Sequence, residues 1–196
     1  MARQNSKKVK VDKYSKVEPR IHPITIASII GFFVVVFGLI LIFQPTNQEK
    51  ISDAYALYNV EITEDHPFYQ VTYRGGLFKK GLNKIIESDE VVVVYVGFAT
   101  CPACQTHIKG FESYYRSEGL DEHVSRIYYV DPTQNSGDYE KFQEAFPELT
   151  GSTPQILVFM NGEVVESYSP GASTEQTDIN RSIRDFYRAV VTKITE

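Results

Sequence analysis

The sequence has no tryptophan, only two cysteines in 196 residues, and no charged residue between Pro23 and Gln48. Basic residues are scarce beyond the first 22 positions. Arg3, Lys7, Lys8, Lys10, Lys13, Lys16 and Arg20 stand there against Asp12 and Glu18, which leaves 13 basic and 23 acidic residues for positions 23–196. Phosphate recognition needs a basic footprint, so the acidic remainder argues against nucleic acid as a partner. No internal repeat or low-complexity tract interrupts the chain.

The uncharged stretch contains Ile24 to Phe43, a twenty-residue run broken only by Thr25, Ser28, Gly31 and Gly38. At about 1.5 Å of rise per residue it covers a hydrocarbon core roughly 30 Å thick, whereas the apolar part of a signal peptide is about 7–15 residues long. The small-x-small site of a cleaved leader is missing: Gln44, Pro45, Thr46 and Asn47 follow the run, and Ala54 and Ala56 lie too far downstream. No cysteine near the end of the run offers a lipoprotein anchor. Residues 23–43 therefore read as a single transmembrane helix in contact with membrane lipid. By the positive-inside rule, 1–22 is a basic cytoplasmic segment and the C-terminal part is extracytoplasmic, on a cell-membrane protein. Residues 44–65 read as a stalk or linker that packs on the domain, with weak helical spacing at Ile51, Ala54, Tyr55 and Tyr58. The domain itself spans 66–196.

Within that domain, strands and helices alternate. Phe68 to Tyr73 has strand alternation, and after Gly75-Gly76 the positions Phe78, Leu82, Ile85 and Ile86 recur at helical spacing. Val91 to Gly97 is a β-branched run suited to a central strand buried on both faces. Cys104, His107, Ile108, Phe111, Tyr114 and Tyr115 mark one helix face. Arg126 to Val130 predicts a strand stopped by Asp131-Pro132, and Tyr139, Phe142, Ala145 and Phe146 predict a short helix ended before Pro147. Gln155–Met160 and Glu163–Tyr168 flank Asn161-Gly162, a strong hairpin signal. Ile179, Ile183, Phe186, Tyr187, Val190, Val191 and Ile194 complete an amphipathic helix. The order β-α-β-α-β-α-β-β-α predicts an α/β fold: a mixed sheet with helices on both faces and an antiparallel hairpin at one edge.

Both cysteines fall in Cys101-Pro102-Ala103-Cys104, between the central strand and the next helix. A sulfur delivered to the first turn of a helix meets unpaired N–H groups and the positive end of the helix dipole, which favours the thiolate. Cys101 is thus the candidate nucleophile, and Cys104 the thiol that resolves the mixed disulfide. Pro102 suits the first helical position, where a missing N–H costs nothing. The implied partners are protein or peptide thiols and disulfides, with a redox partner or transporter beside them. An extracytoplasmic compartment lacks the cytosolic thiol buffers, which tilts the reading towards oxidant or isomerase. No cofactor and no bound metal are expected. Gln105, where a c-type haem site needs histidine, excludes that group.

Two rivals remain. Cys101, Cys104 and His107 stand at i, i+3 and i+6, and two thiolates with an imidazole suit Cu(I) or Zn. Against that, Cys101 and His107 are about 9 Å apart along a helix axis. A non-catalytic adaptor for a secretion or bacteriocin system, with a merely structural disulfide, fits the tether equally well.

The element order, the Cys-x-x-Cys at the start of the second helix and Thr153-Pro154 before the terminal hairpin together resemble the thioredoxin-like superfamily over residues 66–196. The run Val94-Tyr95-Val96-Gly97-Phe98-Ala99-Thr100 into the dithiol, followed by Gly151-Ser152-Thr153-Pro154, is similar to membrane-anchored members from Gram-positive bacteria, including bacteriocin transport accessory proteins. The resemblance implies a thioredoxin-like mixed sheet, Cys101 and Cys104 as catalytic residues, and a cis Pro154 beside them. It also implies that the Thr153 backbone binds an extended substrate segment. Three departures weaken a general reductase reading. Thr100 stands where reductases of the superfamily commonly have tryptophan, Pro-Ala replaces Gly-Pro, and Tyr95 takes the place of a buried acid. A phenol, with a pKa near 10, is a poor base at neutral pH.

Overall fold

The computed structural model describes residues 22–76, 79–88 and 91–196. The chain divides after Gln44 into two compact units. The first holds α1 (Pro23–Ile42), opened by His22, whose Nδ1 accepts the Ile24 N–H at 3.3 Å, and by Pro23 in the first turn. With a mean hydropathy of 2.8 and none of its residues buried, α1 is long and apolar enough to cross a membrane. Apart from His22, the basic segment 1–22 lies outside the described residues.

The second unit runs from Pro45. In chain order its elements are α2 (Asn47–Ala56), β1 (Phe68–Gln70), β2 (Gly75–Gly76), β3 (Lys79–Lys80), α3 (Leu82–Ser88), β4 (Val91–Val96), α4 (Pro102–Ser117), a 3-10 turn (Leu120–Glu122), β5 (Ile127–Val130), α5 (Ser136–Ala145), β6 (Gln155–Met160), β7 (Glu163–Tyr168) and α6 (Gln176–Thr195). Five strands form one sheet in the order β1-β5-β4-β6-β7. Parallel pairing joins β1 to β5 and β5 to β4, and antiparallel pairing joins β4 to β6 and β6 to β7. This is the mixed sheet, with an antiparallel hairpin at one edge, that the element order predicts. Asn161 (φ 51°) and Gly162 (φ 87°) both take left-handed backbone in the two-residue turn between β6 and β7, the conformation that matches strand twist.

Period-2 alternation sorts the side chains. Val93, Tyr95, Ile127, Tyr129, Ile156 and Val158 point to the face covered by α2, α4 and α6. Val92, Val94, Val96, Val130, Leu157 and Phe159 point to the face covered by α3 and α5. Both faces of β4 are therefore buried, as its unbroken apolar run requires. Where α4 meets α6, a side chain on Gly110 would bring a Cβ to 2.7 Å from Ile183 Cδ1, so glycine permits that approach.

Two regions differ from the sequence expectation. The first strand ends at Gln70 rather than Tyr73. The buried Asp138 draws the chain away, accepting the N–H groups of Tyr73 (2.5 Å) and Arg74 (3.1 Å) and the Arg74 guanidinium (3.0 Å). A small hairpin, β2 with β3, follows through Gly75 (φ 77°), where a Cβ would stand 2.5 Å from Lys79 O and Gly81 N. Leu82, Ile85 and Ile86 are buried on α3, while Phe78, expected on the same face, lies outside the described residues. The second difference is one of extent: the segment read as a stalk that packs on the domain does pack there, as the capped helix α2. Thr46 and Glu49 close a reciprocal cap at its start, Glu49 N–H to Thr46 Oγ1 at 3.1 Å and Thr46 N–H to Glu49 Oε2 at 2.6 Å. Ile51 and Tyr55 enter the core, and Asn47 bonds the outer edge of β1 at Gln70.

Candidate active site

The dithiol is held by the loop between β4 and α4. Cys101 caps α4 from extended backbone (φ −78°, ψ 117°), with Pro102 in the first turn. Its N–H bonds Phe98 O at 3.1 Å, and Gln105 Nε2 ties down Ala99 O at 2.7 Å, so the loop is pinned on both sides of Thr100. The Cys101 sulfur accepts the Cys104 N–H at 3.4 Å, the bond that an anion at a helix N-terminus makes. From across the sheet end, Thr153 Oγ1 donates to the same sulfur at 3.3 Å, and Thr153 O lies 3.5 Å from it. The Thr153–Pro154 bond is cis. Buried Gln155 steadies the approach to that loop, its Nε2 on Glu148 O at 2.6 Å and its Oε1 accepting Thr150 N–H at 3.2 Å. The structure thus brings Cys101, Cys104, Thr153 and Pro154 to one place.

The two sulfurs sit in different surroundings. Cys101 is 8% exposed and Cys104 is fully buried. Burial works against ionisation of Cys101, yet the bonds from Thr153, from the Cys104 thiol and from the Cys104 and Ala103 N–H groups together outweigh it. Its thiol lies below the ordinary cysteine value. Cys104 is pushed up to about 12, first by burial and then by the neighbouring Cys101. Phe98 and Tyr95 work in the opposite direction on Cys104. An easily ionised outer thiol over a reluctant inner one is the asymmetry that nucleophilic attack followed by resolution needs.

The other candidate ligand faces elsewhere. His107 sits on α4 with Nδ1 on Ala103 O at 2.7 Å and its ring against Phe111 and Tyr168. Among the described residues, no three His, Cys, Asp or Glu side chains converge as a metal site would require. Of the floor of the site the sequence disclosed only Tyr95, which the resemblance puts in the place of the buried acid. Tyr95 from β4, Tyr129 from β5 and Tyr55 from α2 meet beneath Cys104, with Tyr55 Oη 3.3 Å from Tyr95 Oη and Tyr129 Oη 3.5 Å from Tyr55 Oη. Only the pairing of Tyr95 with Tyr129 across adjacent strands follows from strand alternation. Gly97 makes room for the group: a Cβ there would stand 2.8 Å from Tyr95 Oη and 2.9 Å from Cys104 Sγ.

No family model matches the chain, and no curated protein matches it. Among solved structures it is similar to a thioredoxin-fold protein at 16% identity, covering 66% of this chain and 95% of that one, with a TM-score of 0.45. It is also similar to thioredoxin from Trypanosoma brucei brucei, at 16% identity over 64% and 96% of the two chains (TM-score 0.42). A mutant thioredoxin from Halobacterium salinarum matches at 18% identity over 62% and 94% (TM-score 0.38).

Proposed function

We propose that the chain is a membrane-anchored thiol-disulfide oxidoreductase that acts outside the cytoplasm on protein or peptide disulfides. The observation that carries this reading is the contrast between the sulfurs: Cys101 8% exposed and met by the Thr153 hydroxyl and the Cys104 N–H, Cys104 fully buried. In the reducing direction the Cys101 thiolate attacks a substrate disulfide, one sulfur–sulfur bond forms as the substrate's breaks, and the released thiolate carries away the electron pair. Cys104 then loses its proton to solvent and attacks Cys101, which forms the Cys101–Cys104 disulfide and frees the second substrate thiolate. Oxidation is the same path reversed. The Thr153 backbone beside the cis Pro154 would align the extended substrate segment, and α1 would hold the domain at the membrane surface.

Full-length protein carrying Cys104→Ser tests this directly. It should accumulate a Cys101-linked mixed disulfide with a model protein such as oxidised insulin, while wild-type protein turns the substrate over. Absence of both products would sink the reading and leave an adaptor, whose partner binding would survive Cys101→Ser.

A further inference from the structure

A resolving thiol raised to about 12 is nearly all protonated at neutral pH, so something must favour its anion when it is needed. Among the described residues no buried carboxylate is free for this. Asp138, the one buried acid among the described residues, is committed to the Tyr73 and Arg74 backbone and to the Arg74 guanidinium. The Tyr95 hydroxyl and the Cys104 sulfur flank Gly97 together, both fully buried, and a Cβ there would stand 2.8 Å from the one and 2.9 Å from the other. Behind Tyr95 stand Tyr55 and then Tyr129, all three buried, with rings of Tyr95 and Tyr129 stacked at 5.3 Å between centroids. Every one of these phenols resists ionisation, chiefly through burial, so none serves as a base. Each keeps its proton and is confined to donating it in a hydrogen bond.

We propose that Tyr95 donates to the Cys104 sulfur as a thiolate hole during resolution, with Tyr55 and Tyr129 aligned behind it as positioning residues that donate in series. This rests on the thiol-disulfide reading above and deepens it. In series, each O–H polarises the next, so the bond reaching sulfur is stronger than one from an isolated phenol. The timing also fits. Once Cys101 is in a mixed disulfide it carries no negative charge to oppose ionisation of Cys104. The Cys104 proton can then leave to solvent base, and the Tyr95 bond stabilises the anion that attacks Cys101. The arrangement gives α2 a chemical task, since Tyr55 is its contribution to the row.

The test uses the full chain, reduced and held in detergent micelles, mixed rapidly with 5,5′-dithiobis(2-nitrobenzoate) across about pH 6 to about pH 11. The mixed disulfide removes the Cys101 contributions that raise Cys104, so the second step inflects below the reduced pair's value of about 12. Cys101 releases the first thionitrobenzoate. Cys104 then attacks the Cys101 sulfur and expels the second, so the two steps are read separately. For Tyr95→Phe, the first phase should stay within about twofold, and the inflection of the second should move to higher pH by about one unit. Below the inflection the second phase should slow about threefold, because a tenfold loss of thiolate is partly offset by greater nucleophilicity. Tyr55→Phe should shift it less and Tyr129→Phe least. An unmoved inflection in folded Tyr95→Phe overturns the proposal. If that variant does not fold, Tyr55→Phe, which keeps all three rings and Tyr95 itself, decides: an unmoved inflection overturns the series. Failure of the proposed function would show differently, because this reagent reacts with the thiols whether or not any protein disulfide is a substrate.

Discussion

Strand β4 sends Val92, Val94 and Val96 to one face of the sheet and Val93 and Tyr95 to the other, and the two faces are made of different materials. Under α3 and α5 every buried residue of the cluster is hydrocarbon: leucine, isoleucine, valine or phenylalanine. Under α2, α4 and α6 the buried cluster includes both cysteines and six tyrosines. Their hydroxyls are placed with care. Tyr187 donates to Phe111 O at 3.2 Å, Tyr115 to Val124 O, and Tyr168 pairs with Ser182 at 3.0 Å. A buried hydroxyl without a partner costs on the order of 1–3 kcal/mol, so this face is tolerable only because its polar groups are bonded. One sheet thus holds on one side a dry support, edged by the partly buried Tyr73, Tyr128 and Tyr139, and on the other a polar, titratable core.

The sharpest way to break that comparison is to remove the sulfur proposed as the nucleophile. Cys101→Ser should abolish turnover of protein disulfides while leaving the unfolding midpoint close to wild type, since a side chain of nearly the same size and shape replaces the thiol. Residual turnover above the uncatalysed rate would mean that the sulfur is not the nucleophile. On the dry face, Leu157→Ala leaves a cavity around a fully buried position and should cost about 2–5 kcal/mol of stability. Denaturant melts should register that loss. The ratio of Cys101 to Cys104 alkylation rates should not change, and a changed ratio would show that the two faces are not separable. Gly97→Ala is smaller in chemistry but lands on the polar face. Its methyl meets Tyr95 Oη and Cys104 Sγ below 3 Å, an overpacking worth about 1–3 kcal/mol. Unlike Leu157→Ala, it should also slow resolution by Cys104. Equal effects of the two variants on that step would erase the distinction.

How far the sequence discloses each face follows from the range of the contacts involved. The dry face is legible, because Val91–Val96, Gln155–Met160 and the Asn161-Gly162 turn are local patterns that specify strands and their register. The dithiol and its cap are equally local, four residues at the start of one helix. Beyond Tyr95 the tyrosine floor is not legible, since Tyr55 meets partners 40 and 74 positions away and its helix shows only weak spacing. A signal for α2 is nevertheless present in Thr46-Asn47-Gln48-Glu49, the capping pattern that the structure shows closed. The early end of β1 is hidden for the same reason as the floor. The acid that redirects the chain at Tyr73, Asp138, comes from 65 residues away.

The smallest expected effect concerns how α2 is fastened to the polar face. His66, buried before β1, accepts the Phe68 N–H at Nδ1 (3.2 Å) and reaches Gln48 O on α2 through Nε2 (3.0 Å), while Gln48 Nε2 returns to His66 O at 2.9 Å. With Nδ1 accepting and Nε2 donating, the ring is satisfied only when neutral, since a second proton on Nδ1 would oppose the Phe68 N–H. Burial accordingly lowers the His66 pKa, against weaker opposing pulls from Gln48, Glu112 and Asp65. The sign follows from linkage. Between the folded value and the ordinary histidine value near 6.5, the unfolded chain binds the proton that the folded chain refuses, so stability is fully present above that range and falls as pH drops through it. Denaturant midpoints measured from about pH 7.5 down to about pH 5 should therefore decline less in His66→Gln than in wild type. Resolution by Cys104 should weaken in parallel, because loosening α2 withdraws Tyr55. Parallel pH profiles for the two proteins would show that His66 does not couple α2 to the polar face, and would leave the capping residues Thr46 and Glu49 and the buried Ile51 to hold it there.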